Sequence, residues 1–465
     1  MQTAIEQNTT PASWGRRAWR GTRKRWVPLL LVFASFVMGF TVTAHHSEAL
    51  SPIDEWVYTD YLYKLPQQVI IPRGQEIGPE ALALMACAGV REYGAMGPKC
   101  GSDYSAHLDQ FPQGGITSAD GYTPLYFVIT WVGAKAIQLV THTSLVEAAR
   151  FTGAFWLAGG MLLFYWLLSL MRIRPVITLG LGLAVIASPF AWWTFTFIST
   201  DAPVFALGAL MLIAAIKYLR GQWSGWWLPV LAAVATLFKI TAILAAALVA
   251  LFLILEYVRR RMRARPRRRG FDWRSALLGR GEDGALMIAV STGIAALVAE
   301  VGWLALRAAV AVGPAANQGV TGRMTLKDLG SQFVNFLPGT IISNVNITGR
   351  VELGLPIPPF IVEPLSWITV GGVVGAVAIY TWRRANSPLV YAVAALAILG
   401  APLLAISLDV QGTYFPIPPR YGTALLPAFL LVAALIVRSR VAKTLLVAYP
   451  IVVLGVVLIY SPVFA

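Results

Sequence analysis

Trp26-Val-Pro-Leu-Leu-Leu-Val-Phe-Ala-Ser-Phe-Val-Met-Gly-Phe-Thr-Val-Thr-Ala44 is almost entirely apolar. A helix of about twenty such residues crosses the hydrocarbon core of a bilayer. The run is too long for the apolar part of a signal peptide and has no convincing cleavage site, so it predicts a membrane span. Basic residues flank the cytoplasmic side of spans, so residues 1–25 are expected in the cytoplasm and the chain after Ala44 outside. The basic residues are Arg16, Arg17, Arg20, Arg23, Lys24 and Arg25.

The rest of the chain continues this apolar pattern. Of the 465 residues, 57% are hydrophobic and 13% are charged, against about 25% charged in soluble proteins. We therefore expect an all-α polytopic membrane protein, with residues 26–465 forming one membrane domain and the C-terminus outside. The apolar runs predict about eleven transmembrane helices, near residues 26–44, 146–171, 176–195, 202–218, 226–238, 240–258, 285–309, 365–382, 388–407, 421–437 and 443–461.

The net charge of +15 has two explanations. Most of the basic residues lie in short loops between apolar runs, which favours a topological role over nucleic-acid binding. The densest cluster, Arg259 to Arg269, is interpreted as a topology anchor, with a lipid-headgroup or nucleic-acid site as the alternative. We therefore expect contacts with membrane lipids and no nucleic-acid partner.

Two outward-facing loops are predicted, at residues 45–145 and 310–364. In the first loop, the amphipathic stretches Glu55 to Lys64 and Pro79 to Ala88 are typical of helices that lie along the membrane interface. Leu125 to Val140 is also apolar, but a lysine interrupts it. It is therefore interpreted as an interfacial or partly inserted helix.

The two cysteines, Cys87 and Cys100, lie in the first outer loop. If this loop faces an oxidising compartment, the pair is expected to form a disulfide. Two free thiols are the alternative.

Ionisable and tyrosine side chains from distant parts of the chain are predicted to meet on the outer face. Taken one at a time, they have simpler explanations: Asp201 as a helix N-cap, Lys239 as a lysine that reaches the interface, and Arg420 as a headgroup anchor. Taken together, they indicate a shared polar site, because ionisable groups at membrane depth are costly. The residues are Asp54, Glu55, Tyr122, Tyr126, Arg150, Asp201, Lys239, Arg420 and Tyr421.

The order of these residues matches a family pattern. The matching positions are Asp54-Glu55 after the first span, Pro124-Leu125-Tyr126 at the end of the first outer loop, Ala148-Ala-Arg150 at the next span, Asp201-Ala-Pro203 at a later span, Lys239 after a leucine-rich helix, and Arg420-Tyr421 with Pro427 at a late span. In this order the chain resembles the GT-C fold of integral membrane glycosyltransferases, especially the protein O-mannosyltransferase and aminoarabinose transferase-like group. The first part of the chain matches best. The chain departs from the pattern in having Thr123 where the family has a proline, and in its unusually long first loop.

The resemblance implies an enzyme that takes a sugar from a polyprenyl-phosphate donor. The acceptor is a hydroxyl of a glycolipid, a cell-wall glycan or a protein on the extracytoplasmic face of the inner (plasma) membrane, and direct displacement inverts the anomeric centre. The catalytic candidates are Asp54 as the base and Glu55 beside it, the donor-phosphate ligands are Lys239, Arg420 and Tyr421, and the substrate-binding candidates are Tyr122, Tyr126, Arg150 and Asp201.

Two other functional classes and one candidate metal site remain open from the sequence. A transporter or lipid-linked-sugar flippase would place its membrane charges near the bilayer midplane, whereas these residues are predicted at the outer boundary. A scaffold or receptor would leave the Asp54 region unexplained. No cofactor is required by the proposed chemistry, although His107 with Asp103 and Asp109 offers a weak metal-site candidate.

Overall fold

The computed structural model describes residues 26–91, 93–263, 272–279, 281–317, 322–336, 364–382, 384–410, 412 and 414–460. These residues form helices α1 to α17, which are Trp26–Thr43, Glu55–Lys64, Pro79–Cys87, Pro124–Thr141, Leu145–Leu170, Pro175–Ile186, Pro189–Thr196, Ala202–Leu219, Trp227–Phe238, Ile243–Arg263, Trp273–Leu277, Gly281–Ala309, Leu326–Gln332, Pro364–Ile379, Ser387–Val410, Leu426–Ile436 and Arg440–Tyr460. Short 3₁₀ turns lie at Ser105–Gln110, Pro112–Gly115, Ala119–Gly121, Ile240–Ala242 and Pro419–Leu425. Over these ranges the protein is all-helical, with isolated bridges in place of strands.

The apolar helices make this a multi-pass membrane protein. In the described part of the chain, nine helices are long and apolar enough to cross a membrane, or up to ten if a bent pair counts as one span. The bent pair is α6 and α7, which meet at 64° where Pro189 begins the second helix. Of the eleven expected spans, those at 226–238 and 365–382 form the shorter helices α9 and α14, and the one at 176–195 is the bent pair, whereas α4 is counted among the nine.

Helix α4 covers the stretch for which the sequence predicts an interfacial or partly inserted helix. Pro124–Thr141 is one continuous helix, and it has the length and hydropathy of a span. Its lysine, Lys135, is exposed and reaches the side chain of Gln138, so the charge does not interrupt the helix. Proline at the first position also suits a helix start, because no backbone N–H is needed there.

Close backbone approaches bring distant segments together around one region. Gly153 of α5 packs against the backbone of Phe195, and Gly208 of α8 packs against the carbonyl of Ala424. A Cβ at either glycine would collide with that backbone. Glycine therefore allows α5 to approach α7, and α8 to approach the Pro419–Leu425 turn that carries Arg420 and Tyr421.

The first loop has its own polar centre at Asp60, which is fully buried in α2. Its carboxylate accepts hydrogen bonds from Lys64 Nζ at 2.9 Å, Thr117 Oγ1 at 2.7 Å and the Gly78 backbone at 2.7 Å. A disulfide joins Cys87 to Cys100 after α3. These contacts tie the two short helices expected in the loop to its later part.

Several predicted features lie outside the described residues. They are the basic N-terminus at 1–25, most of the second outer loop at 310–364, and the later half of the basic cluster at 259–269.

Candidate functional site

Two carboxylates and two cations from four separate segments meet in one charged cluster, defined as Asp54, Asp201, Lys239 and Arg420. Arg420 Nη2 lies 3.0 Å from Asp54 Oδ2, and its Nε lies 3.6 Å from Asp201 Oδ2. Lys239 Nζ lies 2.7 Å from Asp201 Oδ1. The sequence predicts that these residues meet, and the structure brings all four together.

Asp54 is the exposed member of the charged cluster. Its side chain is 38% exposed, whereas that of Asp201 is 2% exposed. Asp54 directly precedes α2 and has a left-handed backbone, with φ of 59°. Aspartate tolerates this conformation better than most residues, but it still carries strain, and strained residues concentrate at functional sites. One accessible carboxylate therefore lies against Arg420.

The cations sit at breaks in helical structure. Lys239 is extended, with φ of −160°, between α9 and the 3₁₀ turn that leads into α10. Its ammonium lies 5.6 Å from the centre of the Tyr421 ring. Arg420 lies in the first turn after Pro418 and Pro419, which stop the preceding chain from being helical. Its Nε is buried and has no hydrogen-bond partner among the described residues, so this cation retains binding capacity.

Glu55 has a different environment from its neighbour. It is fully buried and forms an ion pair with Arg150, with Nε to Oε1 at 2.9 Å and Nη2 to Oε2 at 2.8 Å. Its oxygens also accept hydrogen bonds from the backbone N–H groups of Ser51 at 2.7 Å and Ile198 at 2.9 Å. A carboxylate with four donors is saturated, so Glu55 is not positioned to accept a substrate proton.

Arg150 is also a bracing residue. Besides Glu55, it donates hydrogen bonds to the carbonyls of Ser47 at 3.0 Å and Ala49 at 2.8 Å. Its guanidinium lies 4.9 Å from the centre of the Phe197 ring. These contacts bury Arg150 and hold the chain that leads to Asp54, whereas the sequence placed Arg150 among the substrate-binding candidates.

Three consecutive residues before Asp201 are held by side chains of the first loop and α4. Ile198 N donates to Glu55, Ser199 N donates to the Tyr126 hydroxyl at 3.0 Å, and Thr200 Oγ1 donates to the Tyr58 hydroxyl at 3.1 Å. Glu55 and Tyr126 therefore position the segment that presents Asp201, and Tyr126 is buried away from solvent. Tyr58 was not predicted. Its only sequence signal is its place one helical turn after Asp54.

Tyr122 and Tyr421 are half-buried. The Tyr58 hydroxyl lies 3.5 Å from the Tyr122 hydroxyl, and the two rings pack edge to face. Burial, followed by the charges of its neighbours Asp54 and Tyr421, raises the pKa of Tyr122 well above its ordinary value. Tyr122 is therefore a neutral hydrogen-bonding group at physiological pH and not a base.

A cleft of about 640 Å³ opens beside the charged cluster. Lys239, Tyr421, Tyr122, Asp120 and Arg307 are among its lining residues. Sequence reasoning missed the pair Asp120 and Arg307. The available signal was Glu300, an ionisable residue within an otherwise apolar run, because such groups are functional candidates in membrane helices.

An apolar groove of about 780 Å³ lies between α1, α4 and α5. Phe40, Ile129 and Phe155 are among its lining residues, and nearly all of its surface is hydrocarbon. Trp156, which also lines the groove, packs edge to face against Phe238 at 6.0 Å, and Phe238 lines the polar cleft. The apolar groove and the polar cleft are thus separated by one layer of aromatic side chains.

The weak metal-site candidate in the first loop does not assemble. Asp103 accepts a hydrogen bond from the Ser105 hydroxyl at 2.6 Å, and His107 Nδ1 faces the Gln110 amide at 3.4 Å. Over the ranges that the structure describes, no three His, Cys, Asp or Glu side chains are grouped as metal ligands.

No protein-family model matches the chain, and no curated protein matches it. The site must therefore be interpreted from its own chemistry.

Proposed function

We propose that this protein is a membrane glycosyltransferase that moves a sugar from a polyprenyl-phosphate donor to an acceptor hydroxyl, with Asp54 as the general base. One observation carries the proposal: Asp54 is the accessible carboxylate of a cluster that also holds a buried lysine, Lys239, and a partly buried arginine, Arg420. A base and a site for an anionic leaving group therefore lie within a few ångströms of each other.

The proposed reaction is a direct displacement at the anomeric carbon of the donor sugar. The acceptor hydroxyl gives its proton to the Asp54 carboxylate, and the acceptor oxygen forms a bond to the anomeric carbon. The bond between that carbon and the phosphate oxygen breaks, and the polyprenyl phosphate leaves with the electron pair. Attack from the face opposite the phosphate inverts the anomeric centre.

The charges of the cluster suit this proton transfer. Before reaction, two carboxylates balance Lys239 and Arg420. When Asp54 takes up the proton, the cluster gains one net positive charge. At the same moment the phosphodiester becomes a phosphomonoester and gains negative charge. Stabilisation that is stronger in the transition state than in the ground state accelerates the chemical step.

Asp201 is proposed to position the two cations. It is buried, it contacts both Lys239 and Arg420, and three hydrogen bonds hold the chain before it. A buried carboxylate between the cations offsets the cost of removing them from water. Arg420 can then direct an N–H group toward a phosphate oxygen.

The neighbouring apolar groove supports a donor with a lipid tail. A polyprenyl phosphate has a charged head and a long hydrocarbon chain, and a polar cleft beside an apolar groove offers a place for each. A soluble nucleotide sugar would have no use for the groove. The extracytoplasmic location of the site follows from the basic N-terminus and is part of the proposal.

The experiment is a donor panel on purified protein reconstituted in liposomes. Radiolabelled polyprenyl-phosphate mannose, arabinofuranose, glucose and aminoarabinose are each supplied with a lipid and glycan extract as the acceptor. Transfer of label from one donor into the extract is expected, with release of polyprenyl phosphate. Failure of every donor to transfer label would refute the proposal.

A transporter or flippase is the second candidate, favoured by the breaks at Lys239 and between α6 and α7. Broken helices line the binding sites of many transporters. The same liposomes distinguish the two functions, because a flippase moves the labelled lipid to the other leaflet without transferring its sugar.

A further inference from the structure

The cleft beside the charged cluster is also lined by a second group of polar residues, which we call the polar pocket. It consists of Asp120, Thr241, Glu300, Trp303 and Arg307. Three of these residues, Glu300, Trp303 and Arg307, are spaced three and four positions apart on α12, so they share one face of that helix. Asp120 comes from the 3₁₀ turn just before Tyr122.

One ion pair organises the polar pocket. Arg307 Nη2 and Nε each lie 2.5 Å from Asp120 Oδ2, although the two residues are 187 positions apart in the sequence. The Asp120 side chain is 1% exposed and that of Arg307 is 28% exposed. The pair therefore connects the first loop to the end of α12 and keeps part of the guanidinium accessible.

Three buried polar atoms of this pocket have no hydrogen-bond partner among the described residues. They are Asp120 Oδ1, Trp303 Nε1 and Thr241 Oγ1. Buried groups of this kind are nearly always paired in folded proteins, because leaving one unpaired costs free energy. Three that line the same cavity, on three separate segments, indicate a ligand that supplies the missing partners.

The unpaired atoms define the chemistry of that ligand. Asp120 Oδ1 needs a donor, Trp303 Nε1 needs an acceptor, and the Thr241 hydroxyl takes either. The charge of Arg307 is balanced by Asp120, and Glu300 adds a further carboxylate, so the pocket has no surplus positive charge for a second phosphate. Hydroxyl groups both donate and accept, and a sugar ring carries several of them.

We propose that the polar pocket binds the hydroxyl groups of a sugar ring. This deepens the proposed function and rests on it, because the proposed phosphate ligands Lys239 and Tyr421 line the same cleft. The ring belongs either to the glycosyl group of the donor or to the acceptor glycan. The two sources share one chemistry and are separated by experiment.

Trp303→Phe and Thr241→Val are the test variants, because each removes one unpaired polar atom and keeps most of the side-chain volume. Neither atom bonds to the described protein, so the thermal unfolding temperature is expected to stay constant or rise. A purely structural role would lower it. Trp131→Phe is the matched control, since Trp131 Nε1 is also buried without a hydrogen-bond partner among the described residues but lies on α4 outside the cleft.

The affinity for polyprenyl-phosphate sugar and for sugar-free polyprenyl phosphate is measured by equilibrium dialysis in detergent. If the donor sugar fills the pocket, each test variant binds the sugar-bearing lipid about 3- to 10-fold more weakly and the sugar-free lipid unchanged. If the acceptor fills it, donor affinity is unchanged and the acceptor concentration at half-maximal rate rises by a similar factor.

The proposal is overturned if both test variants match the wild type in donor affinity and in acceptor dependence, or if Trp131→Phe shows the same losses. Failure of the glycosyltransferase function would look different, since the wild-type protein would then transfer no label. In that case the pocket is tested by dialysis against methyl glycosides, whose binding must weaken in Trp303→Phe for the sugar site to stand.

Discussion

Asp54→Asn removes the proposed base with little disturbance of the fold. Asparagine has nearly the same size and also tolerates the left-handed backbone that Asp54 adopts, with φ of 59°. Its amide oxygen can still accept a hydrogen bond from Arg420, which lies 3.0 Å away. Removing a general base typically slows a reaction by about 10²- to 10⁴-fold. We therefore expect turnover to fall within that range. Donor affinity is expected to stay within about threefold, which corresponds to less than the 1.4 kcal/mol of a tenfold change in affinity.

Glu55→Gln is the matched control one residue along the chain. Glu55 accepts two hydrogen bonds from Arg150 and two from backbone N–H groups. In Glu55→Gln, the side-chain NH₂ group would point at groups that are themselves donors, and Arg150 would be buried without its counter-charge. Breaking a buried ion pair in this way costs about 3–5 kcal/mol of stability. Glu55→Gln is expected to lower the unfolding temperature, and the fraction that remains folded is expected to retain activity.

The assay combines single-turnover transfer of radiolabelled sugar with thermal unfolding in the same detergent. The reasoning is refuted if Asp54→Asn turns over near the wild-type rate. If Glu55→Gln is inactive but fully stable while Asp54→Asn is active, then Glu55 is the base. If both variants remain active and stable, the carboxylate-base mechanism fails.

Three further predictions concern topology, the donor phosphate and packing. After reduction, an impermeant thiol reagent applied to intact cells should label Cys87 and Cys100, and labelling only after lysis would contradict an extracytoplasmic first loop. Arg420→Ala should weaken binding of polyprenyl phosphate by about 2–5 kcal/mol, measured by equilibrium dialysis. An unchanged affinity would support the simpler interpretation of Arg420 as a headgroup anchor. Gly208→Ala should lower stability by about 1–3 kcal/mol, because the added Cβ would meet the backbone four residues after Arg420. Gly371→Ala, at an open helical position, should leave the unfolding temperature equal or higher, and equal losses in both variants would refute the packing argument.

The sequence alone determined the class of the protein and many of its helices. Within lipid, backbone groups must be paired inside the helix itself, so long apolar runs such as residues 26–44 predict helices whatever their neighbours do. The same physics does not set the number of spans. Trp227–Phe238 is only one short helix that ends at Lys239, and α6 bends away from α7 at Pro189. Hydropathy records the apolar run but not where it breaks.

The sequence also identified the members of the charged cluster, because an ionisable side chain is costly among apolar residues and therefore stands out. It assigned the base to Asp54, but Asp54 and Glu55 have the same chemistry and adjacent positions, so nothing in the sequence distinguishes their surroundings. That distinction depends on Arg150, which lies 95 positions away and saturates Glu55. The polar pocket shows the same limit. Asp120 and Arg307 are ordinary residues at the ends of their segments, and only the packing of the first loop on α12 makes them partners. Helix formation is local and can be predicted from nearby residues, whereas the pairing of buried charges depends on which distant segments meet.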